Sequence, residues 1–133
     1  MQRDLVLRWL EQLRLVIARL LRGERDASTE LVEIELDRAI EQLLGGSSAL
    51  VERLDATSAA ALLADSTRIF GYAEALALKS ALAQARGAAM LAASLARRAL
   101  DLGREAIRRE PLPPKEWTDW IAALERDVPS IPG

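Results

Sequence analysis

The chain has 133 residues, half of them apolar and 29% charged, with a net charge of −2 at neutral pH. It contains no histidine and no cysteine, which excludes Ser–His–Asp and Cys–His catalysis, imidazole or thiolate metal sites and any disulfide framework. This length suits one domain, and the composition is far from that of a disordered chain. Aromatic residues are scarce, so a core must come from Leu, Ile, Val and Ala, which pack helix on helix. The expected fold is all-α, a single domain over 1–128 followed by a loose tail at 129–133.

Charge is distributed unevenly. Residues 1–25 carry six Arg against three acids, whereas 26–55 carry two Arg against eight acids. No segment is basic enough for a phosphate-backbone site, so no nucleic-acid partner is expected. The absence of cysteine fits a reducing, cytoplasmic setting. Arg8, Glu11, Arg14 and Arg19 interrupt the apolar N-terminal stretch, which argues against a signal peptide or a membrane span there.

The first predicted helix covers 2–22. At about 100° per residue, Leu5, Trp9, Leu13, Val16 and Leu20 fall together with Leu10 and Ile17 on one wide face. Gly23 suits the position just past its end. Asp26 can cap a second helix over 27–44, with Glu30 near its positive end and Val32, Leu36, Ala39, Ile40 and Leu43 inward. The short connection implies an antiparallel hairpin of a basic and an acidic helix. Gly45-Gly46-Ser47-Ser48 then breaks the pattern. Short helices follow over 48–54 and 58–66, capped by Asp55 or Thr57, with Ile69-Phe70-Gly71 ending that piece.

A second long hairpin is predicted from helices over 72–86 and 88–109, hinged at Gly87. Between Ile69 and Ala85 the only charges are Glu74 and Lys79, and 88–96 holds none. A helix so apolar around its circumference is either central or covered by a partner. Ala73, Ala77 and Ala81 recur every four residues, which permits close helix approach. Pro111, Pro113 and Pro114 stop the fourth long helix and open a last one over 114–126. There Trp117, Trp120, Ile121 and Leu124 follow i, i+3, i+4, i+7 and must dock on something.

Two segments carry a resemblance: Arg3-Asp4-Leu5-Val6-Leu7-Arg8-Trp9-Leu10-Glu11-Gln12-Leu13, and Leu36-Asp37-Arg38-Ala39-Ile40-Glu41-Gln42-Leu43-Leu44-Gly45. With the helix pattern that follows, they make residues 3–109 similar to a family of uncharacterised bacterial all-helical proteins of unknown function. The resemblance implies a short helical insert and a C-terminal hairpin like one tetratricopeptide (TPR) unit, and no established activity. With Gly87 between its helices, Leu76 and Ser80 take the large and small positions of the first. Ala92, Ala96 and Ala99 fall on positions of the second. Lys79 stands where Leu is usual, Ala83 where an aromatic is usual and Arg104 where proline closes the repeat. One unit without a 34-residue period is a TPR-like hairpin rather than an array.

Glu30, Glu33, Asp37 and Glu41 could hold a metal by carboxylates alone, but they read better as the solvated face of an acidic helix. Gly45-Gly46 lacks the context of a phosphate-binding loop. Tyr72, Glu74 and Lys79 could support acid–base work only if they converge. Arg97, Arg98, Arg104, Arg108 and Arg109 alternate with Asp101, Glu105 and Glu110 in the manner of a solvated, ion-paired helix. No catalytic, cofactor or metal residues are therefore assigned.

The functional expectation is a non-enzymatic protein–protein interaction or scaffold module, with a homodimer first among partners. Candidate interface residues are Trp9, Leu13, Val16 and Leu20, with Tyr72, Leu76 and Trp120 as a second set. The competing assignment of the same residues is core. The alternative function is a peripheral membrane protein lying on anionic lipid through its first helix, basic on one side and apolar on the other.

Overall fold

The computed structural model describes residues 3–23 and 29–128. Seven α-helices follow in order: α1 (Arg3–Leu21), α2 (Thr29–Leu44), α3 (Ser48–Arg53), α4 (Ala56–Leu63), α5 (Ser66–Ala85), α6 (Ala89–Arg109) and α7 (Lys115–Asp127). A 3₁₀ turn at Gly45–Ser47 joins α2 to α3, and no strand occurs among the described residues. The cap expected at Asp26 and the tail at 129–133 lie outside those residues.

Helix α5 is the centre of the bundle. Ile69, Phe70, Gly71, Tyr72, Ala73, Ala75 and Leu76 are all buried. Seven such residues in eight positions leave almost no outward face, and α1, α2, α4 and α6 all pack around this helix. Leu36, Leu43, Leu44, Ile69, Leu82 and Leu102 complete the interior. Each buried side chain of this size contributes about 1.5–3 kcal/mol relative to exposure, so apolar burial dominates the fold.

Side-chain ties fix the helix directions. Ser80 Oγ donates to the Ala92 carbonyl near the Gly87 turn, and Ser66 Oγ donates to Glu110 at the far ends, both at 2.6 Å. Only antiparallel helices can close both links, so α5 and α6 form the expected hairpin. Gly87 turns the chain with φ +86°, a conformation glycine adopts without a Cβ penalty. Likewise Arg86 pairs with Glu33, Lys79 with Asp37 and Arg68 with the Leu43 carbonyl, which orders α2 antiparallel to α5.

The segment between α3 and α5 departs from the sequence reading. The helix expected over 58–66 runs from Ala56 to Leu63, and the helix expected at 72 starts already at Ser66. Asp55 caps α4 through the Ser58 amide at 2.7 Å. Asp65 caps α5 by accepting from the Thr67 and Arg68 amides at 2.9 and 3.4 Å. Between the two helices Ala64 adopts φ 65° and ψ −44°, and the Asp65 amide reaches back to the Leu63 carbonyl at 2.7 Å. That is a classic γ-turn, made here without glycine or proline.

Gly71 does not end a helix; it lies inside α5. A Cβ there would stand 3.0 Å from Leu7 Cδ2 and 3.1 Å from Leu43 Cδ2. The missing side chain thus lets α1 and α2 close on α5. Gly103 does the same for α7: a Cβ would stand 2.5 Å from Ile121 Cδ1 and 3.0 Å from Trp120 Cζ3.

Candidate functional site

Three helices meet in a groove of about 240 Å³. From α1 come Leu7, Leu10, Glu11 and Arg14, spaced i, i+3, i+4, i+7 so that one stripe forms a wall. From α5 come Thr67, Phe70, Gly71, Glu74, Ala77 and Leu78, and from α7 come Trp117 and Trp120. The two glycine seats set the walls, Gly71 bringing Leu7 inward and Gly103 receiving Trp120 and Ile121. Phe70 stacks on Trp117 with centroids 4.5 Å apart and planes 5° from parallel. It meets Trp120 edge-on at 5.0 Å. These aromatic contacts lock α7 onto the bundle and leave the groove with an aromatic side.

Glu74 is the unusual residue of the groove. Among the described residues it has neither a hydrogen bond nor an ion pair. Arg14, the nearby cation, is occupied by Glu11, which it holds through Nε at 3.1 Å and through Nη2. Burial pushes the Glu74 carboxyl up to about 7, the Glu11 charge pushes in the same direction, and Arg14 opposes both. The Glu11 carboxyl is held below its ordinary range by the hydrogen bond from Arg14. One ion pair and one unpaired carboxyl therefore face each other in an apolar setting.

The sequence-derived candidates scatter. Leu13, Tyr72 and Leu76 are 3%, 1% and 5% exposed, inside the bundle and covered by this chain's own helices, so none presents a surface. Leu13 lies on the inward stripe of α1 with Leu10 and Ile17, while Tyr72 and Leu76 share α5's inner circumference. Trp9, Val16 and Leu20 are partly covered and pack against the edge of the core. Trp120 is the one candidate that lines the groove.

Glu74 and Lys79 do not converge. Five residues apart on a helix, they point roughly 140° from one another. Glu74 faces α1 and α7, whereas Lys79 faces α2 and pairs with Asp37 at 3.0 Å. Tyr72 lies with Lys79 on that second side, its ring 5.9 Å from the Arg98 guanidinium. Arg98 in turn donates to the carbonyls of Leu54 and Val51, both at 2.8 Å, and so closes the C-terminal end of α3. The remaining arginines of that stretch pair with Asp101, Glu105 and Glu125. Of the four acids on α2 weighed as metal ligands, Glu33 and Asp37 are tied to cations, and no group of three metal-ligating side chains gathers among the described residues.

Sequence reasoning singled out Trp120 and noted Glu74 as one of two charges in an apolar helix, but it did not join them. The connection depends on Gly71 and Gly103 acting as seats, and nothing in a helical pattern distinguishes a seat from a helix break. No family model, curated protein or solved structure matches this chain, so neither the family resemblance nor a homologue gives the groove a role.

Proposed function

We propose that this chain is a non-enzymatic protein–protein interaction module whose first partner is a second copy of itself. One observation carries the reading: the outer face of the α1/α2 hairpin combines solvent-exposed apolar side chains with opposite charge on its two helices. Leu15 is 50% exposed on α1, and Leu31 and Ile34 are 63% and 49% exposed on α2. The antiparallel register that brings Leu7 and Leu43 together at Gly71 puts Leu15 level with Glu35, one residue from Ile34. Helix α1 carries four Arg against two acids, and α2 carries five acids against one Arg. A two-fold axis through this face would set each basic α1 on the partner's acidic α2, with the leucines between them. Trp9, Val16 and Leu20 lie at its margin.

The membrane alternative draws less support. It needs Leu10, Leu13 and Ile17 outward, and those residues are buried in the bundle. The helices also include none long and apolar enough to cross a membrane among the described residues.

Sedimentation over roughly 1 μM to 1 mM tests the proposal. The wild-type chain is expected to pass from monomer to dimer, and Leu15→Glu with Leu31→Glu to remain monomeric. Both positions are exposed, so at concentrations where the wild type is monomeric the variants are expected to melt where it does. A wild-type monomer throughout, or dimers unaffected by the pair of substitutions, would refute it. Flotation of the chain with anionic vesicles at low salt would instead favour the lipid alternative.

A further inference from the structure

The groove between α1, α5 and α7 differs in chemistry from the outer face of the first hairpin. Its rim charges are Glu11 and Arg14 on α1 and Glu74 on α5, while α7 contributes only the two tryptophans. Arg14 is committed to Glu11, so the groove carries one net negative charge, located on Glu74. A cation placed there would meet an unpaired carboxylate beside two indole rings, attractions that a neutral or anionic molecule lacks. The apolar side chains Leu7, Leu10, Ala77 and Leu78 line the rest. At about 240 Å³ the space is smaller than the roughly 300–1,000 Å³ of a drug-sized pocket, which limits the occupant to a small molecule.

From this geometry we infer that the groove is a binding site for a small organic ammonium ion, a primary amine on an apolar body, with Glu74 as its counter-ion and Trp117 and Trp120 as its aromatic wall. The assignment follows from what lines the groove: a carboxylate with no cation partner among the described residues, two tryptophans and an apolar floor. Glu33, Asp37 and Glu105 each pair with a cation, whereas Glu74 stands without one among apolar and aromatic side chains of the groove. Burial among the groove's side chains raises the Glu74 carboxyl, with the Glu11 charge adding to the shift. Binding of an ammonium ion favours the ionised carboxylate, so near pH 7 binding should release a proton from Glu74. Glu11 and Arg14, which also face the position, remain paired and charged there.

The test uses the full chain and three probes of one shape: phenethylammonium, neutral 2-phenylethanol and anionic 3-phenylpropionate. The readout is the indole N–H resonances, with Trp9 as the internal control because it does not line the groove. Phenethylammonium is expected to shift Trp117 and Trp120 while leaving Trp9 in place, and to bind at least tenfold tighter than either analogue. Glu74→Gln, which keeps the shape, is expected to remove that tenfold preference, and the unchanged Trp9 resonance reports that the variant is folded. Equal binding of the alcohol, an undiminished preference in Glu74→Gln, equal shifts at Trp9, or no shift at all would each overturn the assignment. Tighter binding of the peptide acetyl-Gly-Lys-Gly-amide than of phenethylammonium would overturn it in favour of a protein's lysine. None of these outcomes depends on whether the chain dimerises.

Discussion

Toward α2, the central helix α5 ties down both of its cations, Lys79 on Asp37 and Arg68 on the Leu43 carbonyl. Toward α1 and α7 the same helix presents Glu74, a charge with no tie at all. Both sides are lined by apolar residues of one continuous helix, so propensity and hydrophobicity do not separate them. What separates them is whether a buried or half-buried polar group has found its partner. No fully buried side-chain nitrogen or oxygen among the described residues lacks a partner, so the Glu74 oxygens open onto the groove. The α2 side of α5 is held by bonded charges, whereas the side toward α1 and α7 keeps a carboxylate open to the groove.

The comparison can be broken most forcefully from the architectural side. Leu76, once a candidate for an interface, is expected to behave as core. Leu76→Ala should lower the free energy of unfolding by about 2–5 kcal/mol in urea titrations. The loss should be the same at low and high protein concentration. A loss that shrinks on dilution would put Leu76 at a subunit contact and dissolve the distinction drawn here.

Glu74 supplies the next largest effect, with a definite sign. Its carboxyl titrates near 7 in the folded chain and near 4.5 when unfolded, so between those values the folded state binds more protons than the unfolded state. Stability therefore falls as pH rises from about 4.5 to about 7 and is level above that, by an amount on the order of 3 kcal/mol. Glu11 works in the opposite sense, since its pairing with Arg14 is lost only as pH drops below its ordinary range. The interval from about 4.5 to 7 thus belongs to Glu74 among the groove's charges. Glu74→Gln should flatten the unfolding free energy across it and exceed the wild type above pH 7. A wild-type profile already flat in that interval would mean the carboxyl is solvated or paired.

Much of this architecture was readable from residue order. The 3.6-residue stripes gave α1, α2 and α6 to within a few residues, and the scarcity of charge between Ile69 and Ala85 pointed to a central helix. The reading failed where backbone geometry overrides residue type. Gly71 looks like a terminator but is a seat for Leu7, and Ala64 looks like helix but forms the γ-turn that separates α4 from α5. The groove stayed hidden for the same reason, because Glu74 reaches Trp117 and Trp120 only through contacts between distant helices. Ala64→Gly tests this account of the turn. Relief of a strained φ, about 1–3 kcal/mol, should outweigh the roughly 0.5–1 kcal/mol entropic penalty of glycine. The variant is therefore expected to gain about 1 kcal/mol by thermal or urea unfolding.

The smallest effect belongs to the most visible interaction. Lys79 and Asp37 stand 3.0 Å apart, but they are 35% and 59% exposed, so water already solvates both charges. Such pairs contribute about 0–1 kcal/mol and weaken with salt. Lys79→Ala should therefore cost less than Glu74→Gln gains above pH 7, although one substitution removes a bonded partner and the other a residue bonded to nothing. Unfolding of both variants at pH 8, at low and high salt, compares them directly. If Lys79→Ala proves the costlier change, the α2 side owes its order to charge, and the unpaired carboxylate opposite loses its claim to be the exceptional one.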